Sequence, residues 1–446
     1  MNETMLKNSD ITILCKVVDN FGDIGFVYRL AKNLRKINPH YKIRLVVNDL
    51  NSFQKIAPKI KLNSAEQNFC GMKIFNSSAE EICKAEFSKN LPRVILECFQ
   101  CGRPNWLDEI LFASQSQKKI CDKKNDENFP QNKPIHIGAN AEKIFQIINI
   151  DYLTAEDYAE EFHCLKSATR SAFVKKVNFM PGFTAKTGGL ILDEPFIANW
   201  RAHFEKKSEK EKCENFACDK NVAMQKSSSA EFSAHARAAL SQKILIFSYQ
   251  KNFSPTIRAF QKICDKNLSQ IQIFLAQGIG KESFLKTYRK FCDSQKFDLS
   301  QIQLNELGFL SQENWDEMLL QMDALFVRGE DSLARACLCG KPFVWNAYPQ
   351  KTPQNENYHL VKVHALLEKL RPHFSKSEFA IIEKFWLLYN VNACDISSEE
   401  NLENACFEFL SQARNLKRGF EKFSESIFAL GNFSEKLDAF IQSFQN

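Results

Sequence analysis

Long apolar runs are missing from this 446-residue chain: none reaches the roughly 18 residues that a membrane-spanning helix needs. Met1 to Asp10 is polar and lacks the apolar core of an export signal, so the expectation is a cytoplasmic protein with no membrane partner. Absent too is a Gly-x-Gly-x-x-Gly run after the first apolar segment, which argues against a nicotinamide-dependent enzyme. Gly278-Ile279-Gly280-Lys281 is too short for a phosphate-binding P-loop. Among 15 cysteines, Cys98 and Cys101 form the one Cys-x-x-Cys pair, and no second ligand pair stands at zinc spacing, so no metal is expected. In a large chain without an export signal the thiols read as reduced and mostly buried. The net charge of +6 is modest, and no RNA-binding signature accompanies the lysines. That balance can steer an acidic protein partner and gives no reason to expect nucleic acid.

What is present is an alternation of apolar strands and helices. With 44% hydrophobic residues the chain can bury two cores. Ile11 to Val18, Ile43 to Val47 and Arg93 to Glu97 read as buried strands, with an amphipathic helix from about Ile24 to Ile37. A polar insertion follows at about 114–134, and a second polar stretch, 206–240, falls where two halves should join. The second half opens with Lys243 to Tyr249, continues through Ile271 to Leu275 and Ile302 to Leu304, and is mostly helical from Gln354 onward. This predicts an α/β protein of two doubly wound, Rossmann-like domains, 1–205 and 241–430, facing a central cleft, with a last segment at 431–446.

Two turns carry the chemistry. Cys15-Lys16-Val17-Val18-Asp19-Asn20-Phe21-Gly22-Asp23-Ile24-Gly25 leaves a strand, bends through glycines and enters a helix, which is where open α/β sheets place ligands. Asp19 and Asp23 stand at its mouth, where a carboxylate can accept a proton; Asp23 as a plain helix cap and Asp19 as a turn-stabilising residue are the other readings. The second turn, Arg328-Gly329-Glu330-Asp331-Ser332, follows the apolar run Ala324 to Val327 and precedes a helix. Free N–H groups at that helix start, with the Ser332 hydroxyl beside them, suit a phosphate or diphosphate; a cap formed by Asp331 and Ser332 is the alternative.

Six stretches in order along the chain resemble one family. They are Val17 to Gly25, Leu96 to Phe99 with Arg103-Pro104, Tyr152 to Tyr158, Pro181 to Leu190, Phe326 to Ser332, and Gly340 to Trp345. The family is the elongation factor P arginine rhamnosyltransferases, EarP. The resemblance implies a GT-B-like architecture, with the last helix crossing back onto the first domain. It implies an inverting transfer of L-rhamnose from dTDP-β-L-rhamnose to an arginine guanidine nitrogen of elongation factor P, with no cofactor beyond that donor.

By matching position Asp23 is then the general base, Asp19 holds the guanidinium or tunes Asp23, and Glu330 accepts a sugar hydroxyl. Phe247, Tyr249 and Gln312 match donor-binding positions, suited to the thymine ring and its imide edge. Asp331 and Ser332 meet the diphosphate, and Tyr348 adds a phenolic donor. Two other readings keep part of this picture: another GT-B nucleotide-sugar enzyme, such as an epimerase or glycan transferase, or a non-catalytic binder of nucleotide or elongation factor. Relative to the family pattern, Gln100-Cys101-Gly102 lengthens the run before Arg103, and the polar insertions lengthen the chain.

Overall fold

The computed structural model describes residues 10–18, 21–112, 144–202, 241–267, 270–294, 298–350, 352–353, 355–391 and 395–444. Asp19 and both polar stretches, 114–134 and 206–240, lie outside the described residues. Two compact units divide the chain. One takes in Met1–Leu153, Asp157–Ile191 and Gly431–Asn446, the other Thr154–Glu156 and Leu192–Leu430. Among the described residues, no helix is long and apolar enough to cross a membrane.

Among the described residues the first unit holds eight strands: β1 (Asp10–Cys15), β2 (Lys42–Val47), β3 (Glu66–Phe69), β4 (Met72–Asn76), β5 (Val94–Cys98), β6 (Phe145–Ile150), β7 (Lys166–Ser167) and β8 (Val174–Asn178). Their order is β3-β4-β2-β1-β5-β6-β8-β7, antiparallel only where β3 meets β4 and β7 meets β8. Without those two antiparallel edges, the six parallel strands run 3-2-1-4-5-6, the doubly wound order. Strands of such a sheet are covered on both faces, which is why they read as continuous apolar runs. Ile11 and Ile13 pack into a core with the helix Phe21–Ile37, while Leu14, Val46 and Ile95 join Phe87 and Trp106 in a second cluster.

β1 ends at Cys15 although the apolar run continues to Val18. Side chains have taken over the backbone donors there: the Val17 N–H bonds Asn48 Oδ1 at 2.7 Å and the Val18 N–H bonds Asp23 Oδ2 at 2.7 Å. The C-terminal helix Phe433–Ser443 belongs to this unit and packs on Phe21–Ile37. The buried Tyr41 hydroxyl donates to Asp438 at 2.5 Å, and the Phe433 N–H bonds Leu190 O at 2.9 Å. A Cβ added at Gly188 would lie 2.7 Å from the Phe433 ring. The glycine-rich Pro181 to Leu190 stretch thus has a structural task, that of seating this helix.

The second unit holds β9 (Gln242–Ile246), β10 (Ile271–Leu275), β11 (Ile302–Glu306), β12 (Ala324–Arg328) and β13 (Phe343–Asn346), all parallel, in the order β11-β10-β9-β12-β13. This is again the doubly wound order, here 3-2-1-4-5. The unit begins at Leu192, ahead of residue 205, because the segment after Ile191 is tied to it. Asp193 meets the buried Arg335 at 2.6 Å, and Trp200 rests on Phe428 with ring centroids 4.9 Å apart.

Candidate functional site

In a doubly wound sheet, ligands settle beyond the carboxyl ends of the strands where the order reverses. In the second unit that point lies between β9 and β12, which pair directly through Ile246 and Phe326. Phe247 follows β9, its N–H bonded to Phe326 O at 2.8 Å, and its half-buried ring meets the Trp315 edge at 5.2 Å. Trp315 and the buried Gln312 share the helix Gln312–Gln321. Arg328 closes β12. Its guanidinium carbon lies 4.6 Å from the Phe247 ring centroid and 4.7 Å from that of Tyr249, with the residue only 1% exposed. Tyr249 in turn meets the exposed Tyr348 edge-on at 5.5 Å. Phe247, Tyr249, Tyr348 and the Gln312 helix are therefore brought together around one buried cation.

Next to Arg328, Gly329 adopts φ 72°, ψ 163°, a conformation essentially confined to glycine, and starts the helix Glu330–Cys339. Among the described residues no side-chain cap bond is made at Gly329, and the first N–H groups of the helix belong to Glu330, Asp331 and Ser332. Ser332 is 8% exposed; Glu330 and Asp331 are half-buried. The helix thus begins three residues before the apolar stretch at Leu333, which puts all three residues of the motif in its first turn.

Further residues position this cluster. Asn346, at the end of β13, accepts from the Ser248 hydroxyl at 2.7 Å and from the Tyr249 N–H at 3.0 Å. The Tyr389 hydroxyl donates to Ser248 at 3.0 Å, and Lys251 donates to the Tyr389 carbonyl. Burial pulls the Lys251 ammonium down to about 7. The Gly278-Ile279-Gly280-Lys281 stretch also finds a role: a Cβ at Gly280 would fall 2.4 Å from Ser248 O, and one at Gly278 3.1 Å from the Phe247 ring. Only glycines allow this loop to lie against the one after β9.

In the first unit the order reverses between β1 and β5. Asp23 is fully buried in the first turn of Phe21–Ile37, and its Oδ2 closes the Val18 turn. Glu97, 3% exposed near the end of β5, receives Arg103 and Lys176, each at 3.0 Å, and Arg103 also bonds Asp108 at 2.6 Å. This explains the Arg103-Pro104 pair: Arg103 ties the loop after β5 to the helix at 105–112. Between them the chain is bent through positive φ at Phe99 (59°), Gln100 (51°) and Gly102 (70°). A bulky residue rarely occupies that region. Phe99 is held there by stacking on Tyr152 at 4.5 Å and by its N–H bond to Ile150 O at 2.6 Å.

Cys15, Cys98 and Cys101 lie at the same end. Burial raises all three thiols, Cys101 to about 11, with the Asp23 charge adding to the rise at Cys15. They stay protonated and unreactive near neutral pH. Among the described residues no group of three or more His, Cys, Asp or Glu side chains could hold a metal ion.

Trp315 and Asn346 were not singled out in the sequence, Arg328 was named there only as the first residue of its turn, and Gly278 only in a run too short for a P-loop. Arg328 left one signal: a cation directly after four apolar strand residues.

Two doubly wound α/β units define a protein of the GT-B-like class. The particular family follows from the sequence as a whole: a family model described as Elongation-Factor P (EF-P) rhamnosyltransferase EarP matches residues 11–442, and the chain belongs to that family. It is 32% identical over 361 residues to a protein-arginine rhamnosyltransferase of Shewanella oneidensis, covering 80% of this chain and 79% of that one. A second protein-arginine rhamnosyltransferase, from Neisseria meningitidis serogroup B, is 27% identical over 97% of each chain. A solved structure on the basis of EarP-mediated arginine glycosylation of translation elongation factor EF-P shares the fold, with a TM-score of 0.50 and 17% identity over 97% of this chain and 99% of that one.

Proposed function

We propose that this chain transfers L-rhamnose from dTDP-β-L-rhamnose to a guanidine nitrogen of one arginine in elongation factor P, with inversion at the anomeric carbon. Family membership supports the reaction. The observation that carries the reading into the structure is the second unit's switch point, where Arg328, the Phe247 and Tyr249 rings and an uncapped, glycine-started helix converge.

A guanidinium has a pKa above about 12 and no free lone pair, so the acceptor must lose a proton as it attacks. A carboxylate held by a charge-assisted hydrogen bond can orient one N–H and take its proton while the C–N bond forms. Asp23 has this role in the proposal, and Asp19 holds the guanidinium. The bond from the anomeric carbon to the diphosphate oxygen breaks on the opposite face, and negative charge grows on the leaving dTDP. The first-turn N–H groups at Asp331 and Ser332, the Ser332 hydroxyl and the helix dipole meet that charge. Buried Arg328 adds a positive field from beneath. Phe247 offers a face to the thymine, Tyr249 extends that platform, Gln312 and Tyr348 supply polar contacts, and Glu330 accepts a sugar hydroxyl.

Incubation with dTDP-rhamnose and unmodified elongation factor P, read by intact mass, tests the proposal. A gain of one deoxyhexose on the factor is expected. Release of dTDP or an altered sugar with an unmodified factor would indicate another nucleotide-sugar enzyme; binding without turnover would indicate a binding protein.

A further inference from the structure

We propose that Asn390, supported by His359, is a positioning residue for the nucleotide-sugar donor. The proposal rests on the assignment of Tyr249 and Tyr348 to that donor. What carries it is the way one helix closes the open edge of the second unit's sheet and so fixes the backbone behind both rings.

Among the described residues β13 is an edge strand, so its outward N–H and C=O groups have no neighbouring strand to bond. The helix Lys376–Asn390, started by a capping box of Ser375 and Glu378, packs along that edge and serves it with side chains. Trp386 Nε1 donates to Phe343 O at 2.8 Å. One helical turn further, Asn390 Nδ2 donates to Trp345 O at 2.8 Å and its Oδ1 accepts the Ala347 N–H at 2.9 Å. Four residues of helix rise about 6 Å and two of strand about 6.6 Å, so the two repeats stay in step over this contact. The second Nδ2 hydrogen returns to Trp386 O at 2.9 Å, which leaves the buried Asn390 amide fully bonded.

Asn390 thus brackets Asn346 on both sides, and Asn346 carries the constraint inward. It stands in register with Arg328, and its side chain takes the Ser248 hydroxyl and the Tyr249 N–H. Just past Ala347 comes Tyr348, an exposed ring that meets Tyr249. The far side of Tyr348 is held by His359, a buried residue whose Nε2 lies 2.8 Å from Asn390 O. A carbonyl can only accept, so Nε2 carries the proton, and Nδ1 faces the Gln350 N–H at 3.5 Å. Tyr348 therefore stands between two backbone points, Ala347 tied to Asn390 directly and Gln350 tied through His359. Breaking either tie loosens the rings and leaves the helix start at Glu330 to Ser332 intact, so donor binding weakens while departure of the diphosphate is spared.

Calorimetric titration of dTDP, together with initial rates of transfer to elongation factor P, tests the proposal. In Asn390→Leu, close in shape but without the amide, dTDP affinity should fall at least about fivefold at unchanged stoichiometry. KM for dTDP-rhamnose should rise by the same factor and kcat should stay within about twofold, the pattern of lost ground-state binding. If that variant does not fold, His359→Leu is read instead: binding about threefold weaker, restored in His359→Gln, whose amide N–H can replace Nε2–H. A merely structural lesion would lower the stoichiometry and leave the Kd of the remaining sites as in the parent. That result, parent affinity in the leucine variants, or a fall in kcat at unchanged KM would overturn the proposal. Tyr249→Ala and Tyr348→Ala test the donor assignment itself: weaker dTDP binding there upholds it whatever Asn390 does, and parent affinity in both would overturn assignment and proposal together.

Discussion

The two units share one sheet topology and furnish its switch point with opposite charge. At the carboxyl ends of β1 and β5 the first unit places a buried carboxylate, Asp23, with Glu97 neutralised by Arg103 and Lys176. At the carboxyl ends of β9 and β12 the second unit places the buried cation Arg328 between two rings, beside a helix start that glycine leaves uncapped. In the proposed reaction the same winding serves a proton acceptor in one unit and an anion holder in the other. What differs is the buried charged side chain at each switch point, Asp23 in the helix after β1 and Arg328 at the end of β12.

The largest effect that would break this comparison is expected at Asp23. Asp23→Asn keeps the shape and should still take the Val18 N–H through its amide oxygen, but cannot accept a proton. Transfer to elongation factor P should fall by about 10²–10⁴-fold, the usual worth of a general base, in a time course read by intact mass. Retained activity would make Asp23 the turn-closing cap alone.

Glu97 sharpens the contrast from the structural side. Glu97→Ala leaves Arg103 and Lys176 without their shared carboxylate and should lower stability in urea by roughly 3 kcal/mol, the low end for a broken buried pair because Lys176 keeps 28% side-chain exposure. A loss under 1 kcal/mol would show that the network contributes little to the loop after β5.

In the second unit, Gly329→Ala forces a Cβ into a glycine-only conformation, at a cost of about 1–3 kcal/mol. The melting temperature should drop and dTDP affinity should fall with it. An unchanged affinity would separate the turn from the ligand.

A smaller effect concerns Lys251, whose pKa burial lowers from 10.5 to about 7. Between those values the unfolded chain keeps a proton that the folded chain has lost, so this group makes stability rise with pH across that window. Lys251→Met should lack the slope, and its advantage over the parent in urea unfolding should shrink steadily between pH 7 and pH 10. Parallel pH profiles would mean that Lys251 stays charged inside the fold.

Much of the fold was legible because buried parallel strands are continuous apolar runs bounded by polar turns, as in Ile11 to Cys15 and Ala324 to Val327. The ends of strands were less legible. Val17 and Val18 look like strand residues, yet Asn48 and Asp23 side chains draw their N–H groups away from the ladder. Arg328 was passed over because arginine is rarely fully buried, and only the tertiary structure lays the Phe247 and Tyr249 rings over it. The pairing of Asp193 with Arg335, 142 residues apart, likewise leaves no local trace, and it carries the segment after Ile191 into the second unit. Phe247 stood among 39 phenylalanines, most with a core environment, and its half-buried place after β9 became visible only in the structure.

The division of labour between the units is tested most directly by calorimetric titration of dTDP into Ser332→Ala and Asp23→Asn side by side. The account predicts about tenfold weaker binding for Ser332→Ala, the loss of one hydrogen bond to a charged group, and unchanged affinity for Asp23→Asn. Full affinity in the first variant together with lost binding in the second would contradict it.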